Sequence, residues 1–349
     1  MRIGIYRTCG IGDVVQLTPL FQQIRADYPA AQITFFTNEN VAPLLDGCPF
    51  MDETVFFPSR LVAGTAAEWG GLPMWRQIAR HGKWDMFLNL EPRWRRSLGI
   101  MLVRAGRKGG LQGEGWKPVR LFDEFLTLHR AGLDRGHTSG RCLELWDKLT
   151  GNKDRGLGYN LDYLLESPAK LPQLPPRFVS LVPGAGNAMN PGEAKRWPLA
   201  NWLRLAERFA ASDLSPVWLG SDEDERLFPT GSLGINLMGR LDLRQCCHLI
   251  SKGTALVGND SALFHIALAT KTKAVGLFGP TNPQRTGPFR NFNALIFKAG
   301  FGRVSPDLLT EHGVGAARDA LDAAMPMTEL PFELVTREIL GFLANTPAA

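Results

Sequence analysis

Short apolar runs alternate along the chain with stretches whose apolar residues share one helical face, first in one half and then again in the other. Arg2–Tyr6 reads as a strand and breaks at Thr8-Cys9-Gly10-Ile11-Gly12-Asp13, after which Val14, Leu17, Leu20, Phe21 and Ile24 recur at helical spacing. Pro29 ends that helix region, and Gln32–Thr37 reads as the next strand. Strand, glycine loop, helix and strand make the opening βαβ unit of a doubly wound sheet. Further on, the pattern predicts helices over Val41–Leu45, Met74–Arg80 and Leu143–Leu149, and strands over Glu53–Phe57 and Trp84–Leu90. Residues 106–140 are glycine-rich, and the pattern predicts no elements there.

Ser167–Pro176 holds four prolines in ten residues and reads as an extended interdomain linker. Beyond it the alternation restarts. Phe178–Val182 is a strand with its own glycine turn, Pro183-Gly184-Ala185-Gly186. Lys195-Arg196-Trp197-Pro198 leads into a helix with Trp202, Leu203, Leu205, Ala206 and Phe209 on its apolar side. Strands follow at Pro216–Leu219, Ala255–Val257 and Ala274–Phe278, with a closing amphipathic helix over Phe332–Asn345. The expectation is an α/β protein of two facing Rossmann-like domains with a ligand cleft between them. Residues 1–166 form the first domain, 167–177 the linker and 178–330 the second domain. Residues 331–349 form a C-terminal helix expected to pack back towards the first domain.

Composition narrows this picture only a little. With 349 residues, 44% hydrophobic and 21% charged, the chain is of ordinary globular make-up and long enough for two cores. No apolar run approaches the ~18 residues that span a bilayer, and Met1–Tyr6 reads as a strand, not a signal peptide. The five cysteines are odd in number and fit no metal spacing, as in a reduced cytoplasmic protein. The net charge of +5 is uneven: ten Lys or Arg lie between Arg80 and Arg120, against Asp85, Glu91 and Glu114. Such a patch suits an acidic glycan, a lipid headgroup or nucleic acid. It is equally the composition of a solvated face, and no nucleic-acid motif accompanies it.

The candidate chemistry lies at strand ends. Gly10-Ile11-Gly12 opens a dinucleotide pattern, but its sixth position is Val15 instead of Gly or Ala, so a dehydrogenase is only a runner-up. Asp13 sits at a helix start beyond a strand, where a carboxylate either caps the helix or faces a ligand and takes a proton. Gly258-Asn259-Asp260-Ser261 ends a buried strand and starts a helix, an arrangement suited to anions because free N–H groups and the helix dipole favour them. Asp260 as a plain cap and His265 as a packed core histidine remain the competing reading. Lys195 next to such a helix start suits a diphosphate. Arg93 and Arg95 begin the basic cluster at a strand's C-terminal end, where open α/β sheets bind ligands. Asp222-Glu223-Asp224 formally matches a metal-binding D-x-D but reads as an acidic helix start.

Ile11-Gly12-Asp13-Val14-Val15, Lys195-x-Trp197-Pro198, Gly258-Asn259-Asp260-Ser261-x-x-x-His265 and Leu277-Phe278-Gly279-Pro280-Thr281, running on to Arg285-x-Gly287-Pro288, together resemble glycosyltransferase family 9, the heptosyltransferases. The resemblance covers nearly the whole chain, in order and spacing. It implies a GT-B fold and an inverting, metal-independent transfer of a sugar from a nucleotide donor, with no cofactor. It further implies ADP-heptose as donor and the lipopolysaccharide inner core, or a related anionic glycan or glycolipid, as acceptor. By the same resemblance Asp13 is the general base and Lys195 holds the donor phosphates. Gly12, the Gly184-Ala185-Gly186 turn, Asp222, Asp260, Ser261, Ala262 and His265 complete the donor site, with Asp222 meeting the ribose and Asp260 the sugar. Arg93 and Arg95 are assigned to an anionic acceptor on charge alone. A cytoplasmic protein with at most peripheral contact at the inner membrane, and no nucleic-acid partner, follows.

Three departures bear on substrate identity. Ala262 stands where the family has glycine, Phe301–Arg318 lacks the family's frequent cysteines, and Asn187–Glu193 lacks paired threonines. The alternatives are a GT-B-type sugar-nucleotide epimerase and a nucleotide-sugar-binding protein without catalysis.

Overall fold

The computed structural model describes residues 1–58, 71–113, 122–128, 136–186, 192–229, 231–290, 293–309 and 318–344, with the side chains of Trp94, Arg95, Gln112, Thr127, Leu128 and Arg318 outside that description. The chain divides into two compact units, Met1–Leu157 and Gly158–Ala349.

The first unit is built on six strands: β1 (Arg2–Tyr6), β2 (Gln32–Asn38), β3 (Glu53–Phe57), β4 (Trp84–Asn89), β5 (Ala105–Gly113) and β6 (Glu124–Leu128). They lie in the order β3-β2-β1-β4-β5-β6, all parallel. Strands covered on both faces need apolar residues throughout, and Ile3, Ile5, Phe35, Phe36, Phe87 and Leu88 are fully buried. The order reverses between β1 and β4, whose last residues, Tyr6 and Asn89, are register partners. The loops that carry Asp13 and Arg93 therefore leave the sheet side by side.

β5, like β6, is a strand that the hydrophobic pattern does not predict. Its glycines are required by close approach: a Cβ on Gly110 would lie 2.5 Å from the Phe122 ring, and one on Gly106 would lie 3.0 Å from the Asp85 carbonyl. Packing by neighbours' side chains, instead of its own, hides this strand from periodicity.

The second unit carries β7 (Phe178–Val182), β8 (Ser215–Trp218), β9 (Ile235–Asn236), β10 (Ala255–Asn259), β11 (Ala274–Phe278), β12 (Ala294–Lys298) and β13 (Gly302–Val304). Their order is β13-β12-β11-β10-β7-β8-β9, parallel except for the antiparallel edge pair β12–β13. The reversal here falls between β7 and β10. Val179, Leu181, Val257, Val275 and Leu277 pack with Trp197, Trp202 and Phe209 in one core.

One sequence expectation needs correction. The unit boundary falls at Leu157/Gly158, not at 166/167, and the proline run is a strap on the second unit. His248 Nε2 lies 3.1 Å from the Leu164 carbonyl and 2.9 Å from that of Ser167, and Gln245 donates to the Lys170 carbonyl at 2.8 Å. Those bonds satisfy backbone groups that a proline-rich segment cannot pair within itself. The closing helix, Phe332–Ala344, buries Phe332, Val335, Ile339 and Leu343 in the second unit's own core. Trp197 stacks on Phe332 with ring centroids 6.0 Å apart. Such contacts fix which core the helix joins.

Candidate functional site

Each unit brings most of its predicted residues to the point where its strand order reverses, the place at which open parallel sheets leave room for a ligand; Asp222 instead follows β8. In the first unit the helix Ile11–Asp27 starts from Gly10, and Asp13 is its third residue. One carboxylate oxygen of Asp13 accepts the Gly10 N–H at 3.0 Å, and the other accepts from Arg7 Nη2 at 3.1 Å. The side chain is still 41% exposed, whereas its Arg7 partner is only 12% exposed. Capping and outward presentation, the two competing readings of Asp13, therefore coexist. Burial works against the Arg7 charge, but the Asp13 carboxylate beside it holds the guanidinium above its ordinary range. Burial, with Asp13 next, pushes the neighbouring Cys9 thiol well up, so it is not a thiolate nucleophile.

Arg93 does not stand free in the basic cluster. The fully buried Glu91 accepts from Arg93 Nε at 2.5 Å and Nη2 at 2.8 Å, and from Thr8 Oγ1 at 3.0 Å. Arg96 Nη1 lies 4.0 Å away. Burial opposes the Arg93 charge, yet the hydrogen bonds to Glu91 raise its pKa. A fork held along one edge by a buried carboxylate has its direction fixed, and Arg93 remains 55% exposed. The Arg95 side chain lies outside the described residues. Gly12, expected with the donor residues, is in the first turn beside Asp13.

In the second unit Lys195 Nζ lies 2.8 Å from Asp260 Oδ2, and His265 Nε2 lies 3.5 Å from Asp260 Oδ1. Here the carboxylate is the buried partner, 5% exposed, and the ammonium is 30% exposed. Burial alone would raise the Asp260 pKa, but the His265 hydrogen bond and the Lys195 charge hold it well below the ordinary carboxylate range. The helix Ala262–Ala269 starts directly after Ser261, whose hydroxyl makes no cap and is buried without a partner among the described residues. Two other helices of this unit, at Ser221 and Asp242, have complete capping boxes. An uncapped start beside an ammonium leaves N–H donors for an anion.

The Gly184-Ala185-Gly186 turn follows β7 and runs alongside. Gly184 is required, because a Cβ there would lie 2.3 Å from the Asp224 carboxylate. Asp224 caps its own helix through Ser221 and pairs with Arg196 at 3.4 Å, so the D-x-D run is a helix start. Asp222 is exposed and sits against Gly239 just beyond β9. The predicted phosphate-loop residues 187–191 are outside the described set.

Sequence reasoning missed the residues that hold these groups in place. Asn259 accepts the Trp197 N–H at 3.2 Å and donates to the Pro183 carbonyl at 2.7 Å, tying the Lys195 segment and the glycine turn to β10. Asn38 does the same at the end of β2, accepting the Cys9 N–H at 2.8 Å and donating to the Cys9 carbonyl at 3.0 Å. Arg7, Thr8 and Glu91 were equally overlooked. A visible signal existed for three of them: an asparagine ending an apolar strand, twice, and a lone acid opening an otherwise basic stretch.

With this geometry in hand, comparison with known proteins gives a consistent result. The model of "Glycosyltransferase family 9 (heptosyltransferase)" matches residues 75–300. Lipooligosaccharide heptosyltransferase 2 of Haemophilus ducreyi is 26% identical over 323 residues, covering 85% of this chain and 88% of that protein. Among solved structures, the family 9 glycosyl transferase from Veillonella parvula superposes with a TM-score of 0.73 at 18% identity, covering 99% of this chain and 98% of its own. E. coli heptosyltransferase WaaC with ADP gives 0.70 at 15%, covering 98% and 100%. The architecture is thus GT-B, as expected. The family match spans more than half of the chain, and the chain belongs to glycosyltransferase family 9, the heptosyltransferases.

Proposed function

We propose that this glycosyltransferase moves heptose from ADP-heptose to an anionic lipopolysaccharide-core acceptor, with inversion and without a metal ion. The observation that carries this reading is the opposite charge presented by the two units. The first presents a carboxylate and buries its cation; the second presents an ammonium and buries its carboxylate. A base and a diphosphate receptor are what the chemistry requires. Asp13 takes the proton of the acceptor hydroxyl while that hydroxyl's oxygen bonds to the anomeric carbon. The bond from that carbon to the donor diphosphate breaks, and its electron pair stays on the departing phosphate oxygen. Lys195 and the N–H groups at the start of Ala262–Ala269 stabilise the charge that grows there.

In this reading Asp260 and His265 act through Lys195: the buried carboxylate fixes the ammonium, and His265 fixes the carboxylate. Asp222 serves the ribose, and Gly184-Ala185-Gly186 leaves room for the phosphates. Arg93, aimed by Glu91, takes an anionic group of the acceptor. That a family relative of the same fold has been solved with ADP supports adenine as the donor base.

Thermal unfolding in the presence of ADP, GDP, UDP, CDP or NAD tests the donor assignment. A ligand at ~100 times its Kd adds about 2.7 kcal/mol of stability. ADP alone among the five is expected to do so. Stabilisation by UDP or GDP instead would overturn the ADP-heptose assignment. Conversion of the sugar nucleotide with no acceptor present would make the protein an epimerase.

A further inference from the structure

The first unit carries an apolar surface that the chemistry above does not use. On the helix Leu72–Arg80, Met74, Trp75 and Ile78 face the core, while Leu72, Arg76 and Arg80 form one outward row at i, i+4 and i+8. The 3-10 turn Leu98–Leu102 packs directly on this helix: a Cβ on Gly99 would lie 2.0 Å from the Trp75 ring, and Trp75 Nε1 donates to the Arg96 carbonyl at 2.7 Å. Ile100 points inward, and Leu98, Met101 and Leu102 point out. Met101 is 64% exposed and Leu72 44%. Large apolar side chains gathered on two touching elements are not the scattered exposure that every soluble protein shows.

The charge around this surface is one-sided. Residues 71–113 contain nine Lys or Arg against two acids, Asp85, which accepts the Arg2 N–H, and the buried Glu91, which is paired with Arg93. Arg76 and Arg80 are exposed on the same helix row as Leu72, and Arg104 is exposed two residues beyond Leu102. Lys108 Nζ reaches the Ile100 carbonyl at 3.4 Å, so its ammonium is on the same side of the sheet. Asp123 takes the Lys108 N–H at 2.6 Å and offsets part of that charge. Apolar side chains ringed by cations match the boundary of a bilayer with anionic lipid, where the former enter the headgroup layer and the latter meet phosphates. No described helix is long and apolar enough to cross a membrane, so such contact is confined to the surface.

We propose that Leu72, Leu98, Met101 and Leu102, with Arg76 and Arg104 at their margin, dock this protein on a bilayer surface bearing anionic lipid. The inference is independent of the donor and acceptor assignments.

The test is co-sedimentation of the full chain with vesicles of phosphatidylcholine alone and of phosphatidylcholine with phosphatidylglycerol. Binding is expected to the phosphatidylglycerol vesicles and to weaken as salt rises. Met101→Asp with Leu102→Asp should weaken it by about tenfold or more, and Arg76→Glu by a smaller factor. An unchanged melting temperature establishes that these surface variants are folded. Equal binding to both vesicle types, or undiminished binding of the Met101/Leu102 variant, would overturn the proposal. So would a wild-type dimer in solution that Met101→Asp makes monomeric, since the face would then meet a second copy. Vesicle-free capture of the chain by polyglutamate, with no binding to lipid, would assign the face to an acidic protein instead.

Discussion

The two ligand-facing strand ends are built alike and charged in opposite senses. In each, a buried asparagine at the end of a strand clamps the adjoining loop through both its amide nitrogen and its amide oxygen: Asn38 in the first unit, Asn259 in the second. In each, one ion pair lies beside a helix start. At Asp13 the acid is 41% exposed over a 12% exposed arginine, and at Asp260 the acid is 5% exposed under a 30% exposed lysine. The buried member of each pair fixes the other, and in the function proposed above the exposed member meets the ligand. On that proposal a shared fold yields a proton acceptor or a phosphate receptor according to which partner is buried.

The first way to break the comparison is Asp13→Asn, which keeps the shape and one of the two accepted hydrogen bonds but removes the basic site. Transfer should fall on the order of 10²–10⁴-fold, read as initial rate at saturating donor and acceptor. A rate close to wild type would remove Asp13 as the base. Second in size is Lys195→Met, which takes away the exposed cation of the second unit. A charge-assisted bond is worth about 1.5–3 kcal/mol, so ADP should bind about 10- to 100-fold more weakly. Third, Glu91→Gln weakens the hold on Arg93 without touching Asp13. The acceptor KM should rise by about tenfold, with the ADP Kd unchanged. A shift in the ADP Kd instead would show that Arg93 does not serve the acceptor.

The smallest effect concerns stability. Asp260 is held below its unfolded pKa of about 3.9. Its contribution is therefore complete above that value and is lost as pH falls through and below it. Asp260→Asn should be less stable than wild type at pH 7, by about 1–3 kcal/mol. The gap should close in urea melts below about pH 4. A gap independent of pH would mean that the Asp260 charge has no part in holding Lys195.

What the sequence made legible follows from how far each signal reaches along the chain. Asp13, Lys195, Asp260 and the glycine turn were readable because strand, polar turn and helix start are local patterns. The ordering of βα units, and hence the doubly wound class, was readable for the same reason. Glu91 was not, because its partner Thr8 is 83 residues away and only the β1–β4 register brings the two together. β5 escaped because Gly106, Gly109 and Gly110 yield their space to Asp85, Leu149 and Phe122, and so leave no apolar period of their own. The fate of the closing helix was equally non-local: its amphipathic face was plain, but the core that it joins is set by packing on residues far away in sequence, Trp197 among them.

The division of labour between the two ion pairs is tested most directly by calorimetric titration of ADP into Asp13→Asn and Lys195→Met side by side. ADP affinity should stay within about twofold of wild type in Asp13→Asn and fall about tenfold or more in Lys195→Met. Equal losses in the two variants would contradict the account, because the exposed carboxylate would then belong to the nucleotide site and not to the acceptor hydroxyl.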